Sequence, residues 1–110
     1  MMSFVGRDMK LKSFDGIITL LTSSTWEHII FKHPELKGKR KLIIEALKNP
    51  DEVFLDLKGS LYILKRVDLV SDYLVIVCGE DVGGRFIKTA YFSSLRRKER
   101  YYKWFRRLKP

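Results

Sequence analysis

The hydrophobic pattern changes period midway along the chain. Before Asn49, apolar side chains recur at helical spacing: Trp26, Ile29, Ile30 and His33 in one segment, then Leu42, Ile43, Ala46 and Leu47 in a second. Ser24 followed three residues later by Glu27 forms a capping box, which predicts a helix start at that serine. Pro34 disfavours helical dihedrals at His33, so the first helix is expected to end there, with Leu36-Lys37-Gly38 closing it. The second helix is predicted over 39–48 and stopped by Asn49-Pro50-Asp51. From Glu52 the pattern alternates. Val53, Leu55 and Leu57 share one face, Lys58-Gly59 makes a turn, and 61–67 reads as a second strand. Val70-Ser71-Asp72 turns the chain into 73–78, which is almost wholly apolar and is predicted as the central strand, covered on both faces. Residues 79–84 read as a flexible hairpin loop and 85–92 as the last strand. The expected fold class is α+β: one or two N-terminal helices packed on a four-stranded antiparallel sheet, followed by a basic C-terminal helix.

The two ends are patterned differently. Residues 1–15 read as a loosely ordered arm, and Asp15-Gly16 as a turn opening a single domain over 16–110. Residues 17–22 are short, apolar and β-branched, either a strand or an extended lead-in to the first helix. Ser93 or Ser94 caps the final helix. There Leu95, Tyr102 and Phe105, with Tyr101, Trp104 and Leu108, form an apolar face, while Arg96, Arg100, Lys103 and Arg107 recur on the opposite side.

Charge sharpens this picture. The net charge is +9, and from Ser94 to Pro110 eight Lys/Arg face one acid, Glu99, for a net +7. Such a cluster is the electrostatic footprint of a polyanion partner: phosphates pair with cations while bases stack on exposed rings. Arg97 adds to the same cluster. One cysteine, Cys78, forms no internal disulfide and reads as a reduced core thiol of a cytoplasmic protein. One Cys and two His make no structural zinc set, so neither a metal nor a cofactor is expected. The apolar runs fall short of the ~20 residues of a membrane span. A charged pair, Arg7-Asp8, excludes the opening residues as a signal peptide. Residues 79–84 lack the Lys-Ser/Thr of a phosphate loop.

Both histidines lie in Trp26-Glu27-His28-Ile29-Ile30-Phe31-Lys32-His33-Pro34-Glu35. His28 and His33 stand about 140° apart on an ideal helix and meet at one site only if the helix breaks near Pro34. In order, Leu21-Thr22, Trp26-x-His28-Ile29, His33-Pro34-Glu35, Asn49-Pro50-Asp51-x-Val53 and Thr89-Ala90-Tyr91 resemble the phage- and mobile-element-associated nucleases of the Barnase/EndoU/colicin/RelE-like (BECR) superfamily, over residues 17 to 105. The resemblance implies helices packed on a four-stranded antiparallel sheet and metal-independent RNA cleavage, in which the activated ribose 2′-hydroxyl attacks the adjacent phosphorus. It implies His28 and His33 as the acid/base pair, Glu35 as the group that orients a histidine or shares the base role, and Thr89 and Tyr91 as hydroxyls on one side of the last strand that hold the scissile phosphate or help the proton move. Lys65 or Arg66, on opposite faces of the second strand, supplies a cation. Lys88 alternates away from Thr89 and ranks lower. The expected partners are RNA or DNA, and an acidic antitoxin or immunity protein covering the active face. The alternative reading is a nucleic-acid-binding or protein-interaction module without catalysis, working through the basic C-terminal helix.

Overall fold

Among the described residues, every element belongs to, or packs on, one sheet. The computed structural model describes residues 8–67 and 72–109. In chain order it contains β1 (Met9–Lys12), β2 (Ile18–Leu21), α1 (Ser23–Lys32), a 3-10 turn at Pro34–Leu36, α2 (Arg40–Lys48), β3 (Glu52–Leu55), β4 (Leu61–Arg66), β5 (Tyr73–Asp81), β6 (Gly84–Ser93), α3 (Leu95–Tyr101), a second 3-10 turn at Tyr102–Trp104, and β7 (Arg106–Lys109). The seven strands lie in the order β1-β2-β6-β5-β4-β3-β7. All their pairings are antiparallel except β2 with β6, which is parallel.

This corrects the expected four-stranded antiparallel sheet with helices at its N-terminal end. The meander β3 to β6 is the middle of a larger, mixed sheet, and two strands precede the first helix. Residues 9–12 of the expected loose arm form β1, while 1–7 lie outside the described residues. Met9 and Leu11 face the core and Lys10 and Lys12 face solvent, so the alternation was present but short. The expected basic C-terminal helix is also corrected. α3 ends at Tyr101, and the chain then turns and adds β7 to the edge of β3. An edge strand leaves a row of backbone donors and acceptors unpaired, and pairing with β7 satisfies that row. Both outer strands, Met-Lys-Leu-Lys and Arg-Arg-Leu-Lys, carry the charges that protect sheet edges from further pairing.

Each face of the sheet has its own core. On one face α1 and α2 bring Trp26, Ile29, Ile43, Ala46 and Leu47 onto Ile63, Leu74, Ile76, Cys78 and Ala90. On the other, Phe54, Leu64, Tyr73, Val75 and Val77 meet Tyr102, with Phe105 beside them, from the C-terminal segment. β5 lies at the centre and is buried on both faces from Tyr73 to Gly79, because both of its alternating sets are apolar. Burial in that core pushes the Cys78 thiol up to about 12, so it stays a thiol.

Several local expectations shift for identifiable reasons. The cap of α1 is Thr22, whose hydroxyl accepts from the Thr25 N–H at 3.1 Å, so the cap lies two residues before the Ser24 of the expected box. The cap of α3 is Ser94, which accepts from Arg97 N–H. Residues 79–84 are not a loop. β5 and β6 stay paired out to Asp81 and Gly84, and the chain reverses over Val82-Gly83. The turn at 70–72 falls largely outside the described residues.

Asp15 and Arg85 tie the β1–β2 turn to the sheet through two contacts of 3.0 and 2.9 Å. Burial raises the Asp15 carboxyl, but the Arg85 guanidinium outweighs it and holds the group below the usual carboxylate value. A depressed folded-state value stabilises the fold fully above the unfolded value of about 3.9, and the contribution is lost as pH falls through the folded one. Stability to urea is therefore expected to fall more steeply below about pH 4 in the wild type than in Asp15→Asn; parallel pH profiles would refute the assignment.

Candidate functional site

The cleft is built where β2 leaves β6. The two strands pair only at Thr19 with Arg85 and Leu20 with Phe86. Beyond that point β6 runs on to Ser93 with α1 packed against it in place of a strand. α1 stops at Lys32 because His33 precedes Pro34; His33 takes φ −130° and ψ 73°, and Pro34 opens the 3-10 turn. Leu36, fully buried, anchors that turn. His33 is thus a helix-end residue whose ring lies 5.9 Å from the ring of Tyr91 on β6.

A cleft of about 520 Å³ opens beside this pair, lined by His33, Tyr91, Tyr62, Tyr102, Phe105 and Arg97, with Phe92 and Ser93. The Glu35 carboxylate lies 3.9 Å from His33 Nδ1, at ion-pair distance when the ring is protonated. Tyr102 stacks on Phe54 at 5.0 Å and lines the cleft together with Tyr91. Burial first, and then the neighbouring Tyr91, push the Tyr102 ionisation far above the ordinary tyrosine value, so Tyr102 remains a phenol. Burial and the nearby Asp56 carboxylate likewise raise Tyr62, which donates to Asp56 Oδ2 at 3.3 Å. A second concavity of about 450 Å³ adjoins the first through Arg97 and is lined by Ser94, Arg96, Arg97 and Arg100.

Of the residues expected at a site, the structure brings His33, Tyr91 and Arg97 into one cleft, with Glu35 behind His33, and gathers Arg96 and Arg100 beside it. The others stand elsewhere. His28 is exposed midway along α1 and does not line the cleft. The break at Pro34 frees His33 from the helix but leaves His28 inside it, so the two imidazoles form no pair. Thr89 shares the sheet face of Tyr91, one step further along β6, outside the lining. Lys65 Nζ donates to the Asn49 carbonyl at 2.8 Å and fastens the end of α2. Arg66 lies over the Tyr73 ring at 5.7 Å. Lys103 is exposed on the second 3-10 turn, away from the cleft. Arg107, on β7, binds Glu52 at 3.0 Å.

Sequence reasoning missed Tyr62, Tyr102 and Phe105 as cleft residues. Their apolar spacing marked them as strand or core positions, and only the return of the C-terminal segment over the sheet turns them into a wall. Among the described residues no group of His, Cys, Asp and Glu side chains is placed to hold a metal ion, and no helix is long and apolar enough to cross a membrane. Compared with protein-family models, with curated proteins and with solved structures, the chain has no match.

Proposed function

We propose that the protein is a metal-independent endoribonuclease whose reacting phosphodiester binds between His33, Tyr91 and Arg97. The observation that carries this reading is the meeting of an imidazole from the end of α1 and a phenol from β6 at 5.9 Å, in a cleft that also holds a guanidinium. The His-Pro-Glu and Thr-Ala-Tyr resemblance supports the same chemistry.

In this mechanism His33 takes the proton of the ribose 2′-hydroxyl. The 2′-oxygen bonds to phosphorus, the P–O5′ bond breaks, and the departing 5′-oxygen takes a proton from Tyr91. The products are a 2′,3′-cyclic phosphate and a 5′-hydroxyl. Glu35 orients His33 and stabilises the ring once it is protonated. Tyr102, whose ionisation is pushed up by burial, keeps its proton beside Tyr91. Arg97 offsets the charge that builds on the phosphorane oxygens, a role typically worth a few kcal/mol. His33 then gives its proton to solvent and Tyr91 takes one back from solvent, which restores both groups.

The test is incubation of the purified protein with single-stranded RNA in excess chelator. Cleavage leaving 2′,3′-cyclic phosphate ends is expected, with an all-2′-deoxy strand left intact. Absence of cleavage, or cleavage of the deoxy strand, would sink the mechanism. The second reading, a module that binds nucleic acid without cutting it, is favoured by the groove of Arg96, Arg97 and Arg100. It predicts salt-dependent binding of both strands with no products.

A further inference from the structure

Lys88 is placed by an irregularity that alternation along the strand does not reveal. Thr89 pairs with Val77 but Ile87 pairs with Cys78, so Lys88 is the extra residue of a β-bulge. A bulge re-aims side chains, and Lys88 shares the face of Thr89 and Tyr91 instead of the opposite one. Its Nζ lies 2.6 Å from Ser60 Oγ, across the full width of β5. The crossing runs over Gly79. A Cβ there would stand 2.8 Å from Lys88 Cε and 2.9 Å from Phe86 Cζ, so the glycine makes the space. Ser60 is itself held by Asp56, which accepts from Ser60 N–H at 2.8 Å and from the hydroxyl of Tyr62 in the cleft wall. A lysine that is exposed yet fixed in this way keeps ammonium donors for an anion, because Ser60 engages only one of three. Along this face, two steps of alternation separate the Tyr91 row from the Ser60–Gly79 row, with Tyr62, Val77 and Thr89 in the row between.

We infer that Lys88 binds a phosphate of the same RNA strand outside the reacting position, as a second anion subsite across the Thr89 row from His33 and Tyr91. This rests on the ribonuclease reading for the identity of the strand, but it can be tested by binding alone. The probe is a fluorescent 2′-O-methyl RNA oligonucleotide, which lacks the attacking hydroxyl, titrated at several salt concentrations. Lys88→Gln is expected to weaken binding and to lower the slope of log affinity against log salt by about 0.7, the loss of one phosphate contact. Lys88→Arg should restore the slope. In cleavage, Lys88→Gln is expected to raise KM for a tetranucleotide and leave a dinucleotide, with its single internal phosphate, unchanged. An unchanged slope, or equal effects on the two substrates, would overturn the subsite. If the wild type binds the probe but cleaves nothing, the ribonuclease reading falls while the salt slope still decides Lys88. Melting curves of both variants control for folding.

Discussion

Replacing His33 with alanine is expected to lower RNA cleavage about 10²- to 10⁴-fold, the usual contribution of a positioned proton carrier. His28→Ala is expected to leave the rate unchanged, since that ring is exposed on α1 and does not line the cleft. The contrast matters because a sequence motif with two histidines treats them alike, whereas the break at Pro34 gives only one of them access to Tyr91. His33 is partly exposed and its backbone N–H, bonded to the Ile29 carbonyl at 2.7 Å, survives the substitution, so the variant should melt as the wild type does. Initial rates on a fluorogenic RNA, with a melting curve for each variant, measure both effects. Equal loss in the two variants would point to a structural cause, and full activity in His33→Ala would remove the imidazole from the chemistry.

The second large effect is expected far from His33. Glu52 is 6% exposed at the start of β3, and its Oε1 meets Lys98 Nζ of α3 at 2.9 Å and Arg107 of β7 at 3.0 Å. One buried carboxylate thus ties together both parts of the C-terminal segment. Removing one partner of a buried ion pair strands the other in a poorly solvated place, at a cost of about 3–5 kcal/mol. Glu52→Ala is expected to lose stability at the lower end of that range, because Arg107 keeps access to water. Urea denaturation at neutral pH measures it. The C-terminal segment also carries Tyr102, Phe105 and Arg97, so cleavage should fall with no change to His33 or Tyr91. A loss below about 1 kcal/mol, the worth of an exposed pair, would show that the Glu52 cluster does not hold the segment.

The same cluster changes the meaning of the basic tail. By composition the last 17 residues are a polyanion-binding stripe. In the fold, Lys98 and Arg107 neutralise Glu52, and Arg107 leaves the helical stripe for a strand. Arg96, Arg97 and Arg100 gather on α3 around the second concavity. A charge count cannot separate cations that face solvent from those that neutralise a buried acid, because the acid lies some fifty residues earlier in the chain.

What the sequence made legible is local. The meander from Glu52 onward, the burial of β5 on both faces, α2, the end of α1 before Pro34 and a serine cap at 93 or 94 all follow from short-range pattern and backbone sterics. Glu35 and Tyr91 entered as site candidates only through the family resemblance, not through local pattern. What the sequence did not contain is long-range pairing. β1 and β7 are four residues each, with charges at alternate or consecutive positions, and they become strands because open edges of the sheet offer hydrogen bonds to them. The parallel step from β2 to β6 depends on two residue pairs and leaves room for α1, and with it the approach of His33 to Tyr91. The bulge at Lys88 reverses the face of one lysine. In each case the deciding free energy comes from groups brought together by the closed sheet, so pattern along the chain fixes which segments can be strands or helices, and only tertiary contact decides which side chains share a cleft.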